Sequence, residues 1–322
     1  MTSAFVFRDD TLLCRQTSDG WWPLQVQLPP SMTGSDDSEC QPAYQLGSVT
    51  LIESLAPSHW LADSALEHSI DIDSDNTDID TFTAQATSAV TYDYAIAHNI
   101  KLPLISEKIA DNDDNAFLPY RQLITQLPIA LSNQISQAMQ LLRWQEDTQF
   151  CSRCATPAVP AEIDERAMIC PVCHLRQYPR VQPCVITAIT RPNPQTGEMQ
   201  ILLAHHHRYG EQKLPLMYGL IAGFVEVGES LEHAVVREVA EEVNLSVTDI
   251  RYVSSQPWPF PSNLMLGFRA SYASGDIVIQ EEELTHADFF DLSNLPQIPF
   301  KGSIAYELIA QVADEQGIRL SS

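Results

Sequence analysis

The sequence predicts an α/β (α+β) fold in three parts: a small α/β domain over residues 1–145, a short cysteine-bearing module over 146–180, and a strand-rich α/β domain over 181–322. Three observations carry this prediction. Short apolar segments such as Ala4 to Phe7 and Val49 to Ile52 alternate with polar turns up to about residue 130. Two Cys-x-x-Cys pairs come next, within one short stretch. From Val181 onward, strand-like segments surround a glycine-rich loop that runs into a long helix without glycine or proline.

At 322 residues the chain is long enough for two or three domains with adequate cores, and a hydrophobic content of 44% marks it as globular. With 42 acids against 18 Lys plus Arg, the formal charge of −24 argues against non-specific electrostatic grip on nucleic acid or anionic membrane. The stretch MTSAFVFRDDTLLCRQ lacks a cationic start followed by an apolar run. No run of about 18 apolar residues occurs, so the expected setting is the cytoplasm, with no membrane partner. Seven cysteines, four of them in the two pairs, point to metal or thiol chemistry in a reducing compartment and not to a disulfide framework.

In the first domain, Ile70 to Asp80 begins as Asp71-x-Asp73-x-Asp75, like a calcium-binding EF-hand loop. The spacing then fails, because the sixth position is Asn76 in place of Gly and the twelfth is Phe82 in place of Glu. The segment reads as a solvated or disordered loop, and so does Asp111 to Asn115. Leu131, Ile135, Met139 and Leu142 recur at helical spacing, which predicts an amphipathic helix over Leu131 to Trp144 leading out of the domain.

Cys151-x-x-Cys154 and Cys170-x-x-Cys173 have fifteen residues between them, the spacing of a zinc ribbon. Four thiolates complete a tetrahedral Zn2+ shell and leave no position for water, so one structural zinc per chain is expected; a redox pair needs only one Cys-x-x-Cys. Cys14, Cys40 and Cys184 are isolated and read as core residues.

Cys184 to Thr190, a turn at Pro192 to Gly197, and Gln200 to Ala204 read as a hairpin. His205, His206 and His207 come directly after it. Neighbours on a strand point to opposite faces and do not readily share one ion, so a bland or substrate-edge role is expected.

Then comes Gly223 to Leu245, GFVEVGESLEHAVVREVAEEVNL, with Ser230 as N-cap, Leu231 to Val243 as helix and Asn244 as the stop. Glu238, Glu241 and Glu242 fall within about 100° of arc while Val236, Val239, Ala240 and Val243 gather elsewhere, so one face is expected to be acidic and another buried. An acidic solvated face is the ordinary meaning of such a run, where each like-charge pair costs roughly 0.2–0.5 kcal/mol. A divalent cation reverses that sign. Hard oxygens beside a glycine loop suit Mg2+ or Mn2+ that also hold substrate phosphates. Arg237, one turn from Glu241, is expected to reach back to Glu229.

Ser255-Gln256-Pro257-Trp258-Pro259-Phe260-Pro261 reads as a proline-stiffened loop that presents Trp258 and Phe260. Ile250 to Ser254, Leu264 to Ala273 and Asp276 to Gln280 read as strands, and Ile304 to Ala313 as a closing helix.

Gly223, five residues, Glu229, seven residues and Arg237-Glu238-Val239-Ala240-Glu241-Glu242 resemble the Nudix box, G-x5-E-x7-R-E-U-x-E-E-x-G-U, at every charged position. Asn244 stands where the family has a late glycine, a place for a left-handed backbone that Asn tolerates best after Gly. SQPWPFP, ten residues beyond the box, closely resembles the sequence that marks bacterial NAD(H) diphosphatases of the Nudix superfamily, and the likeness runs from about Phe150 through Ala305.

That resemblance implies a Nudix fold, a mixed sheet between helices, behind the zinc ribbon and the N-terminal domain, and a homodimer. It assigns Glu238, Glu242 and Glu283, with the backbone carbonyl of Ala222, to two or three Mg2+ or Mn2+ ions. Glu241 is then a further metal contact or the general base, and Arg237 braces the platform. The implied substrate contacts are Arg121, Glu165, Tyr178, Gln256, Pro257, Trp258, Pro259, Phe260, Pro261, Ser262, Asn263 and Ala305. Two positions depart from the family: its serine is Asn263 here, and its basic contact has no clear match around Trp22 to Gln25.

The implied reaction is metal-dependent hydrolysis of the pyrophosphate bond of NAD(H) to NMN(H) and AMP, with NAD-capped RNA as a second substrate. Hydrolysis of another nucleoside diphosphate such as ADP-ribose shares the same box. A non-catalytic nucleotide-binding regulator is expected to lose box carboxylates, and all are present. A zinc-ribbon nucleic-acid module calls for basic residues, yet Cys151 to Tyr178 offers only Arg153, Arg166 and Arg176 against three acids.

Overall fold

The computed structural model describes residues 3–8, 11–17, 20–23, 25–27, 43–46, 49–53, 97–98, 115–161, 165–207 and 215–320. The chain divides into two compact units, Met1–Pro179 and Arg180–Ser322. Among the described residues, no helix is long and apolar enough to cross a membrane.

In the first unit the described strands are β1 (Ser3–Arg8), β2 (Thr11–Thr17), β3 (Gly20–Pro23), β4 (Gln25–Gln27), β5 (Ala43–Leu46), β6 (Val49–Glu53), β7 (Ala97–His98) and β8 (Asn115–Pro119). They form one sheet in which β1 lies between β2 and β6. Alternate residues of β1, Phe5 and Phe7, are buried, as strand periodicity requires. Helices α1 (Tyr120–Leu123) and α2 (Ile129–Asp147) come after β8. The buried stripe of α2 holds Leu131, Ile135, Met139 and Trp144, with Leu141 taking the place expected for Leu142, which is only partly buried. The Tyr120 hydroxyl donates to the Ser132 carbonyl at 2.6 Å, pinning α1 to α2. The aspartate segment 70–80 and Cys40 lie outside the described residues. Of segment 111–115, only Asn115, the first residue of β8, is described.

Three short strands, β9 (Val159–Pro160), β10 (Met168–Ile169) and β11 (Arg176–Gln177), make a small antiparallel sheet around the cysteine knuckles.

The second unit contains β12 (Gln182–Pro192), β13 (Met199–His206), β14 (Ile221–Phe224), α3 (Leu231–Val243), β15 (Ser246–Trp258), β16 (Asn263–Ser274), β17 (Leu284–Asp291) and α4 (Ile304–Glu315). Among the described residues these strands form a mixed sheet in the order β15-β16-β12-β13-β17, with β14 paired to β12 ahead of β13. Only the β12–β16 pair is parallel.

Strand alternation divides the core in two. Val185, Ile189, Leu202 and Ala204 pack with Ala234, Val235, Val239 and Val243 of α3. Ile186, Ala188, Ile201 and Leu203 pack with Ile304, Leu308, Ile309 and Val312 of α4. The sheet therefore lies between two helices, and the β12–β13 hairpin closes through Gly197 at φ 77°.

Two expectations need correction. Asp276 to Gln280 is not a strand. Ile277 and Ile279 do pack against the core, but the backbone bonds to the end of α3, with Val278 N–H donating to Val243 O at 3.2 Å and Gln280 N–H to Glu242 O at 2.9 Å. These amides satisfy the last carbonyls of the helix, which have no intrahelical donor. The strand lies further on, as β17. The second correction concerns SQPWPFP: Ser255 to Trp258 belong to β15 and pair with β16, so only the residues after Trp258 form a turn. Pro257 is tolerated because β15 is a sheet edge, where an absent N–H leaves no ladder bond broken.

Candidate active site

Helix α3 begins as the sequence requires, with the Ser230 hydroxyl accepting from His233 N–H at 3.2 Å. It ends at Asn244 in the left-handed region, φ 57° and ψ 33°. Its faces differ from expectation. Val236 and Ala240 are exposed, and the buried stripe is Ala234, Val235, Val239, Glu242 and Val243. Seven residues, close to two turns, separate Val235 from Glu242, which places that carboxylate within the apolar stripe. The three glutamates thus sit at three depths: Glu242 is 1% exposed, Glu238 13% and Glu241 54%.

Arg237 organises the acids around it. Its Nε donates to Glu229 Oε1 and one Nη to Glu229 Oε2, both at 2.9 Å, while that same Nη donates to the Phe224 carbonyl at 2.8 Å. The other Nη donates to Glu238 Oε1 and Glu241 Oε2, each at 2.9 Å. All five guanidinium N–H groups are engaged. Hydrogen bonds from Arg237 hold the Glu229 carboxyl down at about 2, helped by Glu226 N–H. Burial pushes Glu238 above the usual carboxylate range against the pull of Arg237, and the charges of Glu241 and Glu283 push the same way.

Gly223 on β14 makes room for this arrangement. A Cβ there would lie 2.0 Å from the Glu238 carboxyl carbon, so the carboxylate occupies the space a side chain would take. Glu283 comes from the segment that caps α3: its N–H bonds to Gln280 O at 3.0 Å, and its carbonyl accepts from His207 N–H at 2.9 Å. Glu238, raised chiefly by burial and further by the charges of Glu241 and Glu283, and buried Glu242 supply hard oxygens, the chemistry that a divalent cation takes.

In the first unit, the four cysteine sulfurs lie within 4.8 Å of one another. Three of the separations are 3.4, 3.5 and 3.6 Å, near the edge of ~3.8 Å for a tetrahedron of Zn–S bonds of ~2.3 Å. Each knuckle directs an amide at a sulfur, Arg153 N–H to Cys151 and Cys173 N–H to Cys170, both at 3.4 Å, and turns through a left-handed residue, Ala155 or His174. The cluster is built for structural zinc.

Two family models match the chain: a NUDIX domain over residues 182–312 and an NADH pyrophosphatase zinc ribbon domain over residues 146–178. Among curated proteins, the chain is 44% identical over 191 residues to the NAD-capped RNA hydrolase NudC of Klebsiella pneumoniae (strain 342), covering 59% of this chain and 69% of that protein. The chain belongs to the Nudix family. It is 42% identical over 201 residues to NudC of Pectobacterium atrosepticum, covering 62% of this chain and 73% of that one. Identity to NudC of Pseudomonas aeruginosa (strain LESB58) is 43% over 194 residues, 60% of this chain. The chain spans 66% of the length of that Pseudomonas relative.

Within the Nudix domain, the expected contact residues have different surroundings. Ala222 is buried in β14 opposite Ile186. Ala305 is buried in the α4 core. The Gln256 side chain is engaged at both ends, its Nε2 donating to Gly302 O and its Oε1 accepting from Ile304 N–H, both at 2.9 Å, so it ties β15 to the start of α4. Trp258 and Phe260 pack edge to face with centroids 5.3 Å apart. Pro259 is buried and Pro261 exposed. Ser262 Oγ lies 3.3 Å from Gln182 Oε1, and Asn263 opens β16. In the first unit, the Tyr178 hydroxyl donates to Glu165 Oε1 at 2.6 Å and Arg176 pairs with the other carboxylate oxygen, while Arg121 is exposed on α1.

Of the histidine run, His205 and His206 are buried, His205 Nδ1 lying 2.8 Å from Met217 O. His206 Nδ1 faces Glu242 Oε2 at 4.0 Å, a pairing that local sequence patterns do not announce. Its one signal is period two, since Leu202, Ala204 and His206 share one strand face.

Proposed function

We propose that this protein hydrolyses the pyrophosphate bond of NAD(H), yielding NMN(H) and AMP, and that NAD-capped RNA is a second substrate. The observation that carries the reading is the braced carboxylate platform, with Arg237 linking Glu229, Glu238 and Glu241 beside buried Glu242. Support for the substrate comes from the ribbon model's description and from relatives named NAD-capped RNA hydrolase.

Glu238, Glu242 and Glu283, with the Ala222 carbonyl, are the proposed ligands of two or three Mg2+ or Mn2+ ions. Bound there, these ions supply the positive charge that lets water attack a pyrophosphate phosphorus. Arg237 holds Glu238 and Glu241 at fixed positions against mutual repulsion. Glu241, the exposed member, is the proposed further ligand or the base that takes the proton of the attacking water. The P–O–P bond breaks as water adds, so one phosphate stays with each nucleotide. Trp258 and Phe260 form the proposed stacking wall, flanked by Gln256, Pro257, Pro259, Pro261, Ser262, Asn263 and Ala305. Glu165, Tyr178 and Arg121 are further proposed substrate contacts. One zinc per chain holds the ribbon, proposed as a domain over 146–180 between domains 1–145 and 181–322. A homodimer in the cytoplasm completes the reading, the reduced thiolates suiting that compartment.

The test is a panel of NADH, NAD+, ADP-ribose and NAD-capped RNA with Mg2+ or Mn2+, read by product analysis. The expected products from NADH are NMNH and AMP. Turnover of ADP-ribose alone would move the chain to another Nudix substrate class, and binding without turnover would make it a regulator.

A further inference from the structure

The first of two observations is the set of donors around Glu242. Its carboxylate is 1% exposed within the apolar stripe of α3, where an uncompensated charge is costly. The five N–H groups of Arg237 go to Glu229, Glu238, Glu241 and the Phe224 carbonyl. What faces Glu242 is the imidazole of His206, 3% exposed, with Nδ1 4.0 Å from Oε2.

The second observation is how His206 comes to be there. β13 and β17 pair in regular register from Gln200 opposite Asp291 to His205 opposite His286, and then the register shifts so that His206 lies opposite Leu284. The residue passed over is Thr285, so the bulge lies in β17, while β13 keeps its alternation and His206 stays on the face of Leu202 and Ala204. Immediately after it, His207 N–H holds the Glu283 carbonyl and His207 Nε2 lies 2.9 Å from Glu281 O. The alternation of β13 thus sets the imidazole facing Glu242, and the β17 bulge lies beside the backbone that carries Glu283.

We infer that His206 is a positioning residue for Glu242, placed by the unbroken alternation of β13, and that it fixes the buried carboxylate for cation binding. This rests on the reading of Glu242 as a metal ligand. At 4.0 Å the contact is one of charge and dipole and not a formed hydrogen bond. In so dry a site, such a contact orients a carboxylate more strongly than it would in water.

The experiment measures Mn2+ affinity of the full, zinc-loaded chain by electron paramagnetic resonance without nucleotide, for wild type, His206→Leu, His206→Asn, His206→Gln and Glu242→Gln. Thermal midpoints and zinc content report folding. His206→Leu is expected to weaken Mn2+ binding roughly 10- to 100-fold, the usual effect of removing a group that orients a ligand. It should raise the Mn2+ needed for half-maximal turnover, while the KM for NADH at saturating metal stays unchanged. His206→Asn, whose amide nitrogen sits near the Nδ1 position, should recover most of the affinity, and His206→Gln should not. Wild-type affinity in His206→Leu alongside lost affinity in Glu242→Gln would overturn the role of His206 alone. Wild-type affinity in Glu242→Gln would overturn the metal reading and this inference with it. If His206→Leu does not fold, the two amides decide, and equal Mn2+ affinity in the Asn and Gln variants would overturn the inference.

Discussion

Arg237 and Glu229 meet at two points, Nε to Oε1 and Nη to Oε2, both at 2.9 Å, so the loop that precedes α3 is tied to the second turn of the helix itself. The pairing holds the Glu229 carboxyl at about 2 in place of 4.5. A depressed carboxyl contributes stability that is full above its unfolded value and lost as pH falls through its folded one. The gap in thermal midpoint between wild type and Glu229→Gln should therefore be constant above pH 4.5 and close as pH approaches 2. A gap that does not change across that window would mean the pair contributes nothing.

Gly223→Ala tests the cradle. The added carbon would lie 2.0 Å from the Glu238 carboxyl carbon, so the carboxylate must leave its place. Turnover should fall at least tenfold, about 1.4 kcal/mol in barrier, with zinc content unchanged. Wild-type turnover would show that the placement of Glu238 does not matter to the chemistry.

Much of this site was legible in the sequence because its signals are local. Ser230, an unbroken run and Asn244 mark both ends of α3, and two knuckle spacings mark the cysteine cluster. The hidden parts depend on partners distant in sequence. Asp276 to Gln280 has strand-like β-branched residues, but its amides find helix carbonyls first. β17, rich in acids and histidine, shows its face only through Leu284, Ala287 and Phe289, which are buried. Helical periodicity groups Glu242 with Glu238 and Glu241. Packing of the stripe Val235, Val239 and Val243 against the sheet puts Glu242 on the buried side.

Cys151→Ser or Cys173→Ser should release one zinc per chain and lower the thermal midpoint, because a structural zinc contributes folding free energy directly. Elemental analysis of purified wild type and variants checks this. Purified wild type without zinc would remove the metal from the ribbon.

Trp258→Ala should raise the KM for NADH while changing ADP-ribose hydrolysis less, since ADP-ribose lacks nicotinamide. Stacking is worth roughly 1–3 kcal/mol per ring, and the edge-to-face contact with Phe260 holds the indole for it. Equal weakening of both substrates would assign the wall to adenine. No change in either would leave SQPW as a strand and the residues after it as a turn.

The most direct measurement is the turnover of NADH to NMNH and AMP at saturating Mg2+ or Mn2+, comparing wild type with Glu238→Gln and Glu242→Gln. The metal-platform assignment predicts both products from wild type and a loss of a hundredfold or more in kcat for each variant, about 2.7 kcal/mol, with zinc content intact. Wild-type rates in either variant would contradict the assignment of that carboxylate to the metal platform. Intact NADH after incubation with wild type would contradict the proposed activity.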